Sequence, residues 1–279
     1  MTTILRDINI TGNSLMKNLM SSVCIKPSTE KGIRFFVMGD KDGFLGDIDN
    51  VVTTKHCVTL ANRDKKNFFG KYRYKAMLCE HFFAACAILG IDSLNVYMSE
   101  YEMPILDGSA KEWIRLFTEA GIEKSKKTYY TVSEPVYYLN GKTSLIILPD
   151  EKLNISYSVN YDHPDLRNRW ISLDIKKLDE IIEARTFGYL KDLKRFQFFG
   201  FARGVTIENT VGLIEMGYTT ELRSEYEPVK HKILDLIGDL YLAGVSPLNL
   251  KAQILVKEAG HTVHLKVAKE LKNKLIKIK

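Results

Sequence analysis

Four cysteines in 279 residues, Cys24, Cys57, Cys79 and Cys86, are too few and too irregularly spaced for a disulfide framework or a thiolate metal site. They are expected to be reduced thiols, with Cys79 in a small buried apolar role. Nowhere does the chain approach the roughly 18 uninterrupted apolar residues of a membrane span. Arg6 and Asp7 break up the region where a signal peptide would carry its apolar core. A cytoplasmic chain is expected. Charge of one sign is also scarce: the net charge is +6, and much of it comes from Lys266, Lys269, Lys272, Lys274, Lys277 and Lys279. That tail has no aromatics between its lysines, so no nucleic-acid partner is expected. A solvated helix face is the first reading of the tail, and peripheral contact with an anionic membrane surface the second. The working unit is expected to be a monomer.

What is present suits a folded enzyme. A hydrophobic content of 45% is enough for one large core or two modest ones. The charged connector Glu123 to Lys127 separates candidate units 1–126 and 127–279, although no close repeat is visible between them. In the second unit Val136 to Leu139 and Thr143 to Leu148 flank Asn140-Gly141, which reads as a two-residue hairpin turn. Leu153, Ile155, Tyr157, Val159 and Tyr161 then alternate strictly, as on a strand. Helices are expected near Ile175 to Ala184, Pro228 to Ala243 and Thr262 to Leu271. Strands and helices coexist without regular βαβ alternation, which gives an α+β fold.

The run His231 to Asp239 carries the most chemistry. On a helix His231, Asp235 and Asp239 recur at i, i+4 and i+8, so an imidazole and two carboxylates share one face with Lys232 beside them. Pro228 suits the start of that helix and Gly244 its C-terminal cap, while Val229, Ile233, Leu236, Ile237 and Leu240 make an apolar stripe opposite. A polar stripe of this kind is ordinarily solvated, and two ligands do not make a site. Far upstream, Ala76 to Leu89 is almost wholly apolar and predicts a buried helix ending near Gly90, interrupted only by Glu80 and His81. Buried charge needs a partner. These two residues are either a pair satisfied in the core, exposed at the helix start, or a base and a third metal ligand. The set His81, His231 and Asp235 would leave one tetrahedral position open, the catalytic pattern for zinc, with Glu80 as general base. His261 follows Gly260 after the strand-like run Ala252 to Val256, at a junction that suits a catalytic group.

Taken together, these residues resemble the UDP-3-O-acyl-N-acetylglucosamine deacetylase family, the zinc amidases of lipid A biosynthesis. The stretches that carry the resemblance are Glu80-His81, Leu89 to Asp92, Pro104 to Ala110, Asp162-His163-Pro164, Ala184 to Gly188, His231-Lys232 with Asp235 and Asp239, and Gly260-His261. They occur in the family's order over nearly the whole chain. The resemblance implies two similarly folded halves, each a small sheet packed with helices, with the active site between them. It implies Zn2+ as cofactor, with Fe2+ as the alternative, held by His81, His231 and Asp235. Glu80 matches the general base, His261 the general acid, and Asp239 the carboxylate that orients it. Thr186 matches a hydroxyl at the oxyanion, Lys232 a cation on the substrate, and Phe187 an aromatic near the sugar. The small-molecule substrate would be an acylated UDP-N-acetylglucosamine. Gly188 to Phe201 reads either as an amphipathic helix packed on the core or, by the resemblance, as an insert forming an acyl-chain passage.

Several positions depart from the family pattern. Thr11 to Asn18 carries Met16 where a histidine is usual, Met77 and Leu78 replace small hydroxyl residues, and Gly204-Val205-Thr206 replaces a Gly-Gly-Ser turn. Asp107-Gly108-Ser109 reads as a turn, with Ser109 and Glu112 forming a capping box. A related deacetylase for another N-acetyl sugar, or a non-catalytic sugar-nucleotide binder on the same fold, remains open beside the leading reading. The joint presence of Glu80, His81, His231, Asp235 and His261 argues against the binder.

Overall fold

In a computed structural model that describes residues 1–55 and 57–278, the chain builds one five-stranded sheet twice. The first has the order 8–13, 20–27, 93–98, 32–37, 44–45, and the second 136–140, 143–149, 252–257, 154–159, 169–172. In each sheet the last strand in sequence enters the middle, antiparallel to one neighbour and parallel to the other. A parallel crossover needs a long connection. In the first half it ends in helix α1, Glu80–Leu89, and the central strand is followed by α2, Lys111–Ala120. The second half places α3, Leu178–Ile182, and α4, Leu190–Phe198, in its connection, then α5, Glu227–Tyr241, before the central strand and α6, His261–Lys274, after it.

Each half also carries a small three-stranded sheet at the same point, between its hairpins and its long helix. These inserts comprise strands 51–53, 59–61 and 75–77 in the first half and 186–189, 210–214 and 217–218 in the second. The fold is α+β with two similar halves.

Helices α1 and α5 pack against each other and join the halves. Gly238 of α5 makes the crossing close: a Cβ there would stand 2.1 Å from the carbonyl oxygen of Glu80. Fourteen of the fifteen residues of α5, all but Lys230, are buried. The expected solvated-or-cleft face of a surface helix is thus replaced by a helix enclosed on all sides, and its polar stripe must find partners inside the protein.

The apolar run 76–89 is only partly helical. Lys75–Met77 is a strand paired with Thr59–Ala61, and Leu78 has φ of +60°, so α1 begins at Glu80. Burial, not helicity, explains the apolar composition of residues 76–79. The hairpin loop is Gly141-Lys142, one residue later than expected, because Asn140 pairs with Thr143. The helix expected over 175–184 opens as a 3-10 turn capped by Asp174 before α3.

Ser109 and Glu112 do not form a capping box. The Ser109 hydroxyl donates to Asp107 and accepts from Lys111 N–H, and Glu112 pairs with Arg115. This turn instead docks the second insert: Gly108 accepts from Thr186 N–H at 2.7 Å, and a Cβ on Gly108 would overlap the Asn209 carbonyl. Asp107 also pairs with Arg223 at 2.7 Å.

Candidate active site

Because α5 crosses the N-terminus of α1 at Gly238, residues 154 positions apart in sequence come together. His81 Nε2 lies 3.8 Å from Asp235 Oδ1, and His231 Nε2 lies 3.4 Å from the same oxygen. The two imidazoles meet edge to face at 4.9 Å. His231 Nδ1 donates to the carbonyl of Ala184 at 2.9 Å, which leaves the Nε2 lone pair directed at Asp235. Burial, then the neighbouring His231, push the His81 pKa down to about 3, and burial lowers that of His231. Both rings are held neutral, as metal ligation requires.

This donor set fits a divalent metal. The ligand atoms of His81, His231 and Asp235 lie within 4.8 Å of one another. The edges of 3.4 and 3.8 Å approach the roughly 3.3 Å edge of a tetrahedron with zinc-like bonds of about 2.0–2.1 Å. Asp235 Oδ1 is buried and has no hydrogen-bond partner among the described residues, an arrangement that otherwise costs stability. Burial opposes the Asp235 charge, but Lys232 and the surrounding imidazoles outweigh it and hold the carboxyl well below the usual range.

Glu80 and His261 flank this triad. His261 Nε2 is 4.0 Å from Glu80 Oε1 and 3.9 Å from Asp235 Oδ2. Burial raises the Glu80 pKa to about 7, with His261 opposing and Asp235 adding to the rise. Burial pulls His261 down, yet Asp239 and Asp235 overcome it and raise the pKa to about 9. An ionised carboxylate and a protonated imidazole therefore face each other between about pH 7 and 9. Opposed shifts of this kind separate a base from an acid.

Asp239 holds His261 by accepting from its Nδ1 at 2.7 Å. The same oxygen accepts from His264 Nδ1, also at 2.7 Å, and His264 Nε2 lies 2.9 Å from the Tyr157 hydroxyl, which reaches the Ala259 carbonyl at 2.8 Å. His264 carried no reading in the sequence, and Tyr157 only that of a strand position. The signal was the His261–His264 spacing of three, which puts both rings on one face of α6.

Segment 184–186 is fixed at every residue. Ala184 accepts from His231, Arg185 forms a buried ion pair with Glu227 at 2.9 Å, and Thr186 N–H donates to Gly108. Thr186 and Phe187 thereby line a cavity of about 370 Å3 whose floor includes Glu80, His81, His231, Asp235 and His261. Phe187 meets the His231 ring edge-on at 6.1 Å. Lys232 is not on the cavity wall. Its amine is buried and bonds Asp235 Oδ2 at 2.6 Å.

The rest of the wall is mostly apolar, with Tyr189, Thr206, Thr210 and Thr219 as its polar members. Leu193 and Phe196 of α4 contribute to it, with Phe201, Val205 and Ile207 beyond. No residue of α4 is buried, so the helix covers the cavity instead of packing into the core. From the first half come Leu15, Met16 and Leu78, the last two at positions where the sequence departs from the family pattern. The two walls are tied together by Gly204 N–H donating to the Leu15 carbonyl, with no room for a Cβ between Gly204 and Ser14.

Comparison with known proteins finds a family and relatives that match over most of the chain. Residues 1–273 match the family described as UDP-3-O-acyl N-acetylglycosamine deacetylase. The UDP-3-O-acyl-N-acetylglucosamine deacetylase of Thermodesulfovibrio yellowstonii is 30% identical over 276 residues, covering 96% of this chain and 90% of that protein. The protein of the same name from Trichormus variabilis is 30% identical over 280 residues, covering 96% and 97%. That of Leptospira biflexa is 33% identical over 228 residues, covering 80% and 72%.

Proposed function

Since this chain belongs to the UDP-3-O-acyl N-acetylglycosamine deacetylase family, we propose that its buried His–Asp–Glu cluster hydrolyses the N-acetyl amide of an acylated UDP-N-acetylglucosamine, releasing acetate. The chain is a metal-dependent deacetylase of lipid A biosynthesis. The observation that carries the reading is the convergence of His81, His231 and Asp235 within 4.8 Å, with Glu80 and His261 4.0 Å apart beside them.

His81, His231 and Asp235 hold the cation, which is zinc in this reading, with Fe2+ as the alternative. Zinc, when bound, supplies Lewis acidity, polarising the amide carbonyl and easing deprotonation of water. Glu80 accepts the proton of the attacking water as the new carbon–oxygen bond forms. His261 then donates its Nε2 proton to the leaving nitrogen as the carbon–nitrogen bond breaks. Asp239, hydrogen-bonded to His261 Nδ1, keeps the ring in place and favours its charge. The hydroxyl of Thr186 and the cation of His261 stabilise the oxygen on which negative charge develops. Phe187 packs against the sugar. Lys232, bonded to Asp235 Oδ2, neutralises that carboxylate and adds positive charge to the field at the substrate from behind the cavity wall.

The apolar wall of α4 receives the 3-O-acyl chain. Acetate release from UDP-3-O-(3-hydroxyacyl)-N-acetylglucosamine, compared with UDP-N-acetylglucosamine, tests this. Each methylene buried on the wall contributes about 0.8 kcal/mol, so kcat/KM for the acylated substrate should be higher by about 10²-fold or more. Equal rates would reject the wall as an acyl passage.

Among the described residues no helix is long and apolar enough to cross a membrane. We place the reaction in the cytoplasm, where a sugar nucleotide is available.

A further inference from the structure

The first insert carries a feature that the reaction does not use. Between strands 59–61 and 75–77 the chain forms a hairpin whose tip holds Phe68, 98% exposed, and Phe69, 80% exposed. The tip is ordered by its own hydrogen bonds. Asn67 N–H donates to the Lys71 carbonyl at 2.8 Å and Gly70 N–H to that of Asn67 at 2.9 Å. The Asn67 side chain accepts from Phe69 and Lys71 N–H, both at 3.0 Å, and Gly70 takes the left-handed φ of +72°. Two phenyl rings are thus held out into solvent, 5.6 Å apart and edge to face.

The flanks are basic. Residues 63–75 include Arg63, Lys65, Lys66, Lys71, Arg73 and Lys75 against the single acid Asp64. Lys65 is paired with Asp40 and Asp42. Among the described residues no carboxylate lies within ion-pair distance of Lys66, Lys71 or Arg73. Lys66 and Arg73 instead sit over the rings of Tyr72 and Tyr74 at 5.0 and 5.3 Å. Two adjacent rings without polar atoms thus project from the tip, with the cations Lys66, Lys71 and Arg73 on its flanks. They suit a fluid apolar phase, with cations at the depth of its phosphates.

We propose that the Asn67–Gly70 tip is a membrane-interface wedge, inserting Phe68 and Phe69 among the acyl chains of an anionic bilayer while Lys66, Lys71 and Arg73 contact lipid phosphates. The hairpin carries this inference by itself, and it stands or falls independently of the deacetylase reading.

The test is co-sedimentation of the full chain with vesicles of phosphatidylethanolamine and phosphatidylglycerol. The native chain binds, and added salt weakens binding because the cationic contribution is screened. The double variant Phe68→Ser/Phe69→Ser loses at least about tenfold in partitioning, and Lys66→Glu/Lys71→Glu loses binding to the anionic vesicles. Phe69→Trp reports insertion directly, as a blue shift of its emission on vesicle addition. Absence of native binding, undiminished binding by the double phenylalanine variant, or an unshifted tryptophan would each overturn the proposal. Capture of an acidic protein by the hairpin in place of vesicles would do the same.

Discussion

At Asp239 a single carboxylate oxygen accepts hydrogen bonds from two histidines, His261 and His264. One is predicted to move a proton, while the other, tied back to Tyr157, fixes the carboxylate that governs it. Only the first was legible in the sequence, because Gly260-His261 resembles a family motif and His264 does not. Lys232 illustrates the converse. The resemblance matches it to a cation on the substrate, and nothing in its spacing announced that its amine also bonds Asp235, three residues along the same helix. Spacing says which residues share a face; it does not say which of them the core encloses. The separation of base from ligand is testable residue by residue. Glu80→Ala is expected to retain its metal and lose about 10²-fold or more in kcat, as for removal of a general base. His231→Ala and Asp235→Ala are expected to lose metal as measured by elemental analysis. Full occupancy in either ligand variant, or metal loss in Glu80→Ala, would reverse the assignment.

Among the elements, α1 and α5 matter most, and their crossing depends on Gly238. A methyl group there would stand 2.1 Å from the Glu80 carbonyl, and backbone on both sides leaves nothing flexible to yield. Gly238→Ala is expected to destabilise the fold by about 1–3 kcal/mol and to lower metal content as the ligands separate. Denaturation and elemental analysis of the variant decide this, and native values for both would refute the close crossing.

The Arg185–Glu227 pair anchors the segment that carries Thr186. Burial raises the Glu227 carboxyl, but hydrogen bonds from the Arg185 side chain and from the N–H groups of Arg185 and Arg223 outweigh it and hold it below its usual value. A carboxyl depressed by folding stabilises the fold above its unfolded pKa of about 4.3. That contribution is lost as the pH falls through the folded value. Glu227→Gln should therefore cost about 3 kcal/mol at neutral pH, and its deficit should shrink only below about pH 4. A deficit that stays constant down to about pH 3 would contradict the account. At this scale the sequence was a fair guide. The start of α5, the start of α6 and strand 252–257 were legible to within a residue, whereas α5 is capped by Leu242 and not by Gly244, and α6 runs three residues beyond the expected Leu271. The start of α1 was not, because an apolar run enclosed by other elements looks alike as strand or helix.

For the whole molecule, the repeated sheet order and the matched inserts are a property that no local pattern revealed. The two halves share topology. It was the resemblance to the family, not any visible repeat, that implied them. We propose the division at residues 126 and 127. Residues 124–129 carry no strand or helix. The pairing of 3–4 with 122–123 closes the first half, and that of 130–132 with 275–277 the second. Catalysis then depends on both halves, since His81 comes from one and His231, Asp235 and His261 from the other. The most direct test of this account is acetate release from UDP-3-O-(3-hydroxyacyl)-N-acetylglucosamine by the purified chain, first stripped of metal and then restored with zinc. The account predicts that release stops on stripping and returns with zinc; release that continues undiminished after complete removal of metal would contradict it.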